Sequence, residues 1–404
     1  MNLLRDRRLA ALLAAEVISS TGTQMTWLAL PWFVLRTSGS PERMTWVIIA
    51  EVLPVAIFGF WGGAIAARVG TRRTMLTCDL LRVPLFAAIP ALHAAGMLPF
   101  WALLALVALS GVFLAPYFSV QRAVVPELIG EEHVDVAQAT ALFQLANRTT
   151  IALGPPLAGV LIATVGKTQI LYIDAATYLV SFILVALFVH PPEASVDRER
   201  PQVLDGVRFL FGDKLLRVWV IAFTVVDICW QLIFASLLVL TARSYDGNVH
   251  IAGVLAGSFG AGAILGALWS MRLVRRFDPL LLAGSAFVLE LASLWALAIP
   301  AVWVVPALAM ATAGCFTSIV NAPMQSWVML RIPRDLRTQA LAAFGVIQCI
   351  GMPAGLLLGG GALARYDTHA VLAVVLSVDT IAIGALVASA FGERASLRAV
   401  DSPA

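Results

Sequence analysis

Charge is scarce in this sequence. Only 13% of its 404 residues are charged, whereas 60% are hydrophobic and the mean hydropathy is +0.90. A soluble domain carries about 25% charged residues. Because so few charges cannot hydrate the surface of a globule of this size, lipid must be the solvent for most of that surface. The net charge of +3 is small and no long basic tract is present, so nucleic acid is not expected as a partner.

Cysteine and histidine are sparse as well. The four cysteines are far apart, each within an apolar run, and the five histidines show no metal-ligand spacing. We therefore expect no disulfide, no metal site and no cofactor. The sequence contains no phosphate-binding loop, which excludes a self-contained ATP-driven pump. No nucleophile has a base at a usable spacing, which argues against an enzyme.

Long apolar runs are abundant instead. A helix needs about 20 mainly apolar residues to cross a bilayer. Twelve runs of suitable length occur, at 9–35, 44–66, 74–92, 98–120, 140–165, 169–189, 217–240, 250–271, 279–298, 302–324, 338–362 and 370–391. The first run exceeds the core of a signal peptide and contains no plausible cleavage site. The sequence therefore predicts an all-α integral membrane protein with twelve transmembrane helices.

The basic residues between these helices are distributed unequally. Twenty lie on the side that also holds both termini, namely Arg5, Arg7, Arg8, Arg68, Arg72, Arg73, Arg122, Arg198, Arg200, Arg208, Lys214, Arg217, Arg272, Arg275, Arg276, Arg331, Arg334, Arg337, Arg394 and Arg398. The five in the opposite loops are Arg36, Arg43, Lys167, Arg243 and Arg365. Since loops rich in lysine and arginine stay in the cytoplasm, we predict a protein of the cell inner (plasma) membrane with both termini cytoplasmic.

Residues of the first half recur in the second half at a nearly constant spacing. Offsets of 203, 207 and 205 residues relate three groups in equivalent helices. They are Gly59, Gly63, Arg72 and Arg73 with Gly262, Gly266, Arg275 and Arg276; Ala115, Pro116, Ser119 and Pro126 with Ala322, Pro323, Ser326 and Pro333; and Asp174 with Asp379. The repetition predicts two pseudo-symmetric six-helix bundles, at 1–189 and 217–404, an architecture found in one large class of transporters.

A polar, proline-containing segment separates the two bundles. Residues 190–216 are expected to form a cytoplasmic linker. Within it, five apolar residues fall on one helical face: Val203, Leu204, Val207, Leu210 and Phe211. This pattern predicts a short amphipathic helix, which lies either on the inner membrane surface or against other parts of the protein.

The loop after the second helix carries a family motif. It reads Gly63-Ala-Ile-Ala-Ala67-Arg68-Val-Gly70-Thr-Arg72-Arg73 and resembles the loop signature of the major facilitator superfamily. The resemblance implies the fold of that superfamily and a gating role for Gly63, Arg68, Gly70, Arg72 and Arg73. Ala67 replaces the aspartate of the signature, so the contact that the aspartate makes has no counterpart here.

The fifth helix contains a second motif, Gly154-Pro155-Pro156-Leu157-Ala158-Gly159. It resembles the signature of antiport-type exporters, with Ala158 in place of one glycine. Small residues let helices approach closely and a proline pair bends a helix, so tight packing alone is the alternative explanation. Three further stretches are similar to the macrolide-efflux and siderophore (enterobactin) exporter branch: Pro126-Glu-Leu-Ile, Tyr172-Ile-Asp174-Ala-Ala-Thr-Tyr and Arg208-Phe-Leu.

Acidic residues within the predicted spans outnumber basic ones. An ionised side chain in a membrane costs about 2.5–3.5 kcal/mol on insertion scales, so each requires an explanation. The acids are Glu16, Glu51, Asp79, Asp174, Asp227, Glu290 and Asp379, whereas the bases are Arg82 and Arg148. At least five acids therefore lack a basic partner and must be neutral, reach water or lie at a membrane edge. Acids of this kind can carry protons.

The family architecture implies that helices 1, 4, 7 and 10 line a central cavity. Each of these helices carries a polar pair four residues apart and hence on one face. The pairs are Ser20 with Gln24, Tyr117 with Gln121, Asp227 with Gln231 and Asn321 with Gln325, and Glu16, Thr23 and Trp27 extend the first. We predict that these residues line a substrate cavity. Hydrogen bonding between helices without a ligand is the alternative.

Individual acids receive different expected roles. Asp227, near the middle of the seventh helix, is the predicted proton-coupling residue, with Glu51 and Glu16 as alternates. We expect an intrahelical ion pair between Asp79 and Arg82 near the cytoplasmic gate. Structural roles are expected for two further acids, Asp174 and Asp379, and the sequence offers no role for Glu290.

These features predict a secondary active transporter. It would export small amphiphilic organic molecules, either drugs or a secreted metabolite such as a siderophore, in exchange for protons by alternating access. Uptake of a substrate, or flipping of a lysolipid, is an alternative for the same fold. A non-transporting membrane sensor or scaffold would be expected to carry a soluble domain. Expected partners are the small-molecule substrate, protons and the lipid bilayer, and the chain is expected to act as a monomer.

Overall fold

The interior of a bilayer offers no hydrogen-bond partners, so a spanning segment must satisfy its own backbone, as a helix does. In a computed structural model of the chain, the regular structure of the described residues is entirely helical. The structure describes residues 6–121, 124, 128, 133–166, 168–190, 203–274, 276–333 and 336–401. Side chains are described in these ranges except at 56, 59–67, 119, 121, 133–138, 140–141, 144, 148, 203–206, 271, 279–280, 322–323, 325–331, 337–339, 341–342, 345–346, 349–352, 354, 358 and 390–401.

Six long helices occupy the described part of the first half. They are α1 (Arg7–Ser38), α2 (Pro41–Val69), α3 (Thr71–Ala94), α4 (Phe100–Gln121), α5 (His133–Thr164) and α6 (Gln169–Phe188). Asp6 caps the start of α1, because its carboxylate accepts from the backbone N–H of Arg8. Gly39 ends α1 in the left-handed conformation, with φ +66°.

The second half begins with a short helix, α7 (Val203–Gly212), and continues with six long ones. They are α8 (Lys214–Ser244), α9 (Val249–Leu273), α10 (Pro279–Leu294), α11 (Val304–Arg331), α12 (Arg337–Arg365) and α13 (Thr368–Asp401). A 3₁₀ turn, Trp295–Ala298, extends α10. Asp213 separates α7 from α8 and caps α8, since its carboxylate accepts from the backbone N–H groups of Leu215 and Leu216.

The long helices coincide with the twelve predicted spans, and α7 coincides with the predicted amphipathic segment. Within the described residues, eight helices are long and apolar enough to cross a membrane: α3, α4, α6, α8, α9, α10, α11 and α13. The predicted all-α membrane fold with two six-helix halves is confirmed. The differences lie at helix ends, since α5 begins at His133 and α13 continues to Asp401.

The chain divides into two compact units. The first comprises Met1–Glu199 and Asp246–Gly257, and the second comprises Arg200–Tyr245 and Ser258–Ala404. The first turns of α9 therefore belong to the first unit, whereas the remainder of that helix belongs to the second.

The first unit is held together by helix contacts around α1, α3 and α4. α1 packs against α2, α5 and α6, α3 packs against α4 and α6, and α2 packs against α4. Glycine allows the closest approaches. A Cβ atom on Gly22 of α1 would collide with Thr177 and Asp174 of α6, and one on Gly111 of α4 would collide with the carbonyl oxygen of Glu51 in α2.

In the second unit, α8 packs against α12 and α13, and α10 packs against α11. α9 and α11 approach each other backbone to backbone. Cβ atoms on Gly262 and Gly266 would overlap with the carbonyl groups of Ala311 and Cys315. Gly314 of α11 faces α9 in the same way, and it follows Gly111 by 203 residues, an offset already seen in the sequence repeat.

The short helix α7 contacts α8 and α12. Leu210 is buried and Phe211 is exposed. Part of the apolar face of α7 therefore packs on protein, and a position at the membrane surface stays a prediction.

Candidate functional site

Arg82 of α3 is a charged side chain deep within the first unit, with 2% exposure. Its Nη2 atom donates to the hydroxyl of Tyr178 in α6 at 2.5 Å. Its guanidinium carbon lies 3.8 Å from the centroid of the Tyr178 ring. A guanidinium is stabilised both by an aromatic face and by hydrogen-bond acceptors. Because the charge is buried, it also needs an opposite charge nearby.

Asp174 of α6 supplies that opposite charge. Its Oδ2 atom accepts from Thr26 of α1 at 2.5 Å and from the Tyr178 hydroxyl at 3.1 Å. The Tyr178 hydroxyl also lies 3.0 Å from the hydroxyl of Thr23 in α1. Tyr178 thus accepts from Arg82 and donates to Asp174. This bridge connects α1, α3 and α6 in the interior of the unit.

Asp79 of α3 contacts α6 as well. Its Oδ2 atom accepts from Ser181 at 2.7 Å, whereas its Oδ1 atom has no hydrogen-bond partner among the described residues. No direct hydrogen bond between Asp79 and Arg82 is among the described contacts, although the charges of the two groups interact, so the expected ion pair stays a prediction. An ion pair three residues apart on a helix contributes only about 0.2–0.5 kcal/mol, whereas Tyr178 offers Arg82 both a ring and a hydroxyl.

These residues form one group, which we call the Arg82 cluster: Thr23, Thr26, Asp79, Arg82, Asp174, Tyr178 and Ser181. The sequence analysis placed Thr23 in the polar stripe of the first helix but assigned no role to Thr26, Tyr178 or Ser181. The available signal was the spacing of four and three residues between Asp174, Tyr178 and Ser181, which places the three on one face of α6.

Three predicted site residues lie beside the Arg82 cluster: Glu16, Glu51 and Tyr117, all of them buried. Ser20 donates to Glu16 at 2.5 Å along α1. Trp27 is a hydrogen-bond neighbour of Glu51. The charges of Asp174 and Arg82 interact electrostatically with the Glu51 carboxyl. Tyr117 lies in the apolar core of the unit, with residues of α1 and α3. Among the described side chains, the charges of Glu51, Asp79 and Asp174 therefore interact with Arg82, and the charge of Glu16 interacts with Asp79.

The glycine–proline segment of α5 is a packing surface. Gly154 lies against Gln24 of α1, so that a Cβ atom there would collide with the Cβ of Gln24. Gly159 faces the carbonyl oxygen of Val249, and Gly253 faces the carbonyl oxygen of Pro155. α5 thus packs closely on α1 and on the first turns of α9. The gating role of Gly154, Pro155, Pro156 and Gly159 stays a prediction.

The loop motif between α2 and α3 makes one contact with α6. Arg72 donates from Nη2 to the carbonyl oxygen of Ala186 at 2.7 Å. Arg68 and Arg73 are exposed. Gly70 has φ +89°, a conformation that favours glycine. The surroundings of Gly63 lie outside the described residues.

The predicted cavity residues of the second unit are less enclosed. Asp227 and Gln231 of α8 and Asn321 of α11 are half-buried. Asp227 lies near the middle of the 31-residue α8 and has no hydrogen-bond or ion-pair partner among the described residues. The side chains of Gln121 and Gln325 lie outside the described residues.

The second unit also buries two acids on neighbouring helices, Glu290 of α10 and Asp379 of α13. Thr317 of α11 donates to Glu290 Oε1 at 2.9 Å. The charge of Asp379 reaches Glu290. We call these two residues the Glu290–Asp379 pair. Within the described part of the chain, no group of three or more His, Cys, Asp or Glu residues could hold a metal ion.

A profile described as Major Facilitator Superfamily matches residues 12–356. The chain belongs to this superfamily. The prediction of a membrane transporter rather than an enzyme is therefore confirmed. Members of this superfamily are multi-pass membrane proteins that transport a small-molecule substrate across the membrane.

Relatives within the Major Facilitator Superfamily include two named exporters. The multidrug efflux pump Tap of Mycolicibacterium fortuitum is 24% identical over 393 residues, which cover 93% of this chain and 94% of Tap. The enterobactin exporter EntS of Salmonella typhimurium is 24% identical over 344 residues, which cover 82% of this chain and 80% of EntS. The predicted resemblance to the efflux branch of the superfamily is confirmed.

Among solved structures of the superfamily fold is the nucleoside transporter NupG. It matches with a TM-score of 0.75 at 15% identity, covering 96% of this chain and 99% of NupG. A similarity at this identity shows the fold alone.

Proposed function

We propose that this chain exports small amphiphilic organic molecules across the membrane in exchange for protons. The observation that carries the proposal is Asp227, an acid near the middle of a membrane-length helix with no partner among the described residues. The names of Tap and EntS support export as the direction. Drugs or a secreted metabolite such as a siderophore are therefore the proposed substrates.

One site that holds either a proton or a cation is sufficient for exchange. When no cation is present, the neutral form of the Asp227 carboxyl is favoured because water is scarce at this depth. A cationic substrate beside Asp227 stabilises the carboxylate, and the proton leaves to water. When the substrate leaves, a proton returns to the carboxyl. Each cycle therefore moves a proton against a substrate molecule.

Asp227 is a better candidate for this exchange than the alternates Glu51 and Glu16. Glu51 is buried, and its charge interacts with those of Asp174 and Arg82, so its protonation depends on the Arg82 cluster as well as on any substrate. Glu16 is buried and bonded to Ser20. Half-buried polar residues of α1, α8 and α11 are proposed to line the substrate path: Ser20, Gln24, Gln231 and Asn321.

The topology is part of the proposal. We propose that both termini lie in the cytoplasm of a bacterial cell, because the loops on that side hold twenty basic residues and the opposite loops hold five. The protein is further proposed to act in the inner membrane as a monomer. The proposed bundles are 1–189 and 217–404, joined by the cytoplasmic segment 190–216. Reporter fusions after Arg200 should be active only in the cytoplasm. Activity of the same fusions on the outer face would contradict this topology.

Asp227→Asn separates proton exchange from substrate movement. Asparagine keeps the shape of the side chain but cannot ionise, so uphill transport into everted vesicles should vanish while downhill movement persists. A panel of cationic dyes and drugs, with and without a proton gradient, provides the measurement. Asp227→Glu is the matched control and should keep uphill transport, because it retains an ionisable carboxyl. If Asp227→Asn still transports uphill with unchanged proton dependence, the proposal is wrong.

A further inference from the structure

Glu290 and Asp379 lie deep in their helices. Each is 11 residues after the first residue of its helix, Pro279 or Thr368, which corresponds to about three turns. Their exposures are 2% and 0%. α10 and α13 contact each other, so the two side chains enter the same interior region of the second unit. The charge of Asp379 reaches Glu290 there.

Most of the carboxyl oxygens in this region lack partners. Thr317 donates to Glu290 Oε1, and the side chain of Trp230 in α8 is a further hydrogen-bond neighbour of Glu290. Glu290 Oε2 and both oxygens of Asp379 have no hydrogen-bond partner among the described residues. A buried carboxylate normally accepts several hydrogen bonds, because it has lost the water that stabilised its charge. The second unit therefore stabilises the ionised form of this pair poorly.

Among the described side chains, no basic residue offsets the two charges. In the membrane-length helices of the second unit, every lysine and arginine lies within two turns of a helix end. Arg243 is one of them, and it donates to the carbonyl oxygens of Leu363 and Tyr366 and to Thr368. The charge of Asp379 also interacts with the thiol of Cys229 in α8. Cys229 carries no positive charge in any protonation state.

We propose that the Glu290–Asp379 pair is a proton-binding site, separate from Asp227, that retains at least one proton when the protein is folded in a membrane. Two buried carboxylates whose charges repel each other, with no described countercharge, cannot both remain ionised in an apolar interior. One proton removes one of the two charges and supplies a hydrogen-bond donor in a region where three carboxyl oxygens have no described partner. The ligand is a proton rather than a metal ion, since the two carboxyls are joined by no third His, Cys, Asp or Glu ligand among the described residues.

Infrared spectroscopy tests this site without reference to transport. A protonated carboxyl group gives a C=O stretch above the amide band that moves to lower frequency in D₂O. Purified full-length protein in lipid nanodiscs at neutral pH should show this band. The double variant Glu290→Gln and Asp379→Asn should lose an intensity equal to at least one carboxylic acid. Asp246→Asn is the matched control, because Asp246 is exposed and its φ of +53° suits asparagine. It should leave the band unchanged.

A double variant with the same band intensity as the control overturns the proposal. If the double variant does not fold, each single variant is measured instead. The remaining acid then keeps its proton but has an amide neighbour in place of a carboxyl, so the band should persist at a shifted frequency. Unchanged frequency and intensity in both single variants overturn the proposal. Because no substrate is involved, failure here leaves the Asp227 exchange intact, and failure of that exchange leaves this site intact.

Discussion

Asp174 and Asp379 occupy repeat-related positions 205 residues apart, and both are fully buried, but their surroundings differ. Asp174 accepts hydrogen bonds from Thr26 and Tyr178 and lies near a guanidinium. Asp379 has another acid nearby and accepts no hydrogen bond among the described residues. The residue that corresponds to Tyr178 is Ile383, and 285–289, which correspond to the region of Arg82, contain no basic residue.

The difference shows that two duplicated halves can keep an acid at the same position while its hydrogen-bond donors and its countercharge differ. In the first unit, the acid belongs to a hydrogen-bonded network with Arg82, and the network connects three helices. In the second unit, no described side chain donates a hydrogen bond to the acid or offsets its charge. The first arrangement stabilises packing, whereas the second favours protonation. Three substitutions test this contrast through stability.

Arg82→Leu should have the largest effect. The substitution leaves Asp174 and Asp79 buried without their countercharge, and loss of one partner from a buried ion pair costs about 3–5 kcal/mol. Thermal unfolding of the purified protein in detergent should show a clearly lower transition temperature. Arg73→Leu changes an exposed arginine of the same helix and should leave the transition nearly unchanged. Equal transitions for the two variants would show that the Arg82 cluster does not support the fold.

Asp174→Asn should have an intermediate effect. Asparagine keeps the shape of the side chain but removes the charge that attracts Arg82, and its amide group presents donors to hydroxyls that now donate to Asp174. Hydrogen bonds to charged groups contribute about 1.5–3 kcal/mol each to stability. Chemical or thermal denaturation followed by tryptophan fluorescence would measure the loss. A variant as stable as the parent protein would mean that Asp174 is already neutral in the fold.

Asp379→Asn should have the smallest effect, below about 1 kcal/mol, because no described hydrogen bond is lost. The same denaturation experiment, run beside Asp174→Asn, provides the comparison. A loss of stability as large as that of Asp174→Asn would remove the proposed difference between the two units.

The sequence predicts the helices well and their partners poorly. Twelve apolar runs match twelve long helices because lipid selects about 20 consecutive apolar residues, a property of local sequence. Helix ends are less certain, because a helix can continue beyond the lipid without remaining apolar. α13 illustrates this, since it continues for ten residues after the predicted end at 391.

Contacts between helices depend on information that spacing does not contain. The spacing of Glu16 and Ser20 reveals that they share a face of α1, and the structure contains their hydrogen bond. The contact between Arg82 and Tyr178 joins residues 96 positions apart. It requires a particular relative rotation of α3 and α6, which the spacing of residues within one helix does not contain. The expected ion pair between Asp79 and Arg82 named only the partner that is visible in the local sequence, and the contacts of both residues with α6 were not visible there.

The order of residues in the Arg82 cluster has a consequence for synthesis. Arg82 leaves the ribosome 92 residues before Asp174, which at the usual elongation rate is on the order of ten seconds earlier. During that interval, α3 must enter the membrane with a guanidinium whose insertion costs about 2.5–3.5 kcal/mol. The buried acids already made on α1, α2 and α3 are Glu16, Glu51 and Asp79. Insertion of α6 then brings Asp174 and Tyr178 to Arg82. A nascent chain that ends before α6 lacks both partners, so its buried guanidinium marks it as incomplete to cellular quality control.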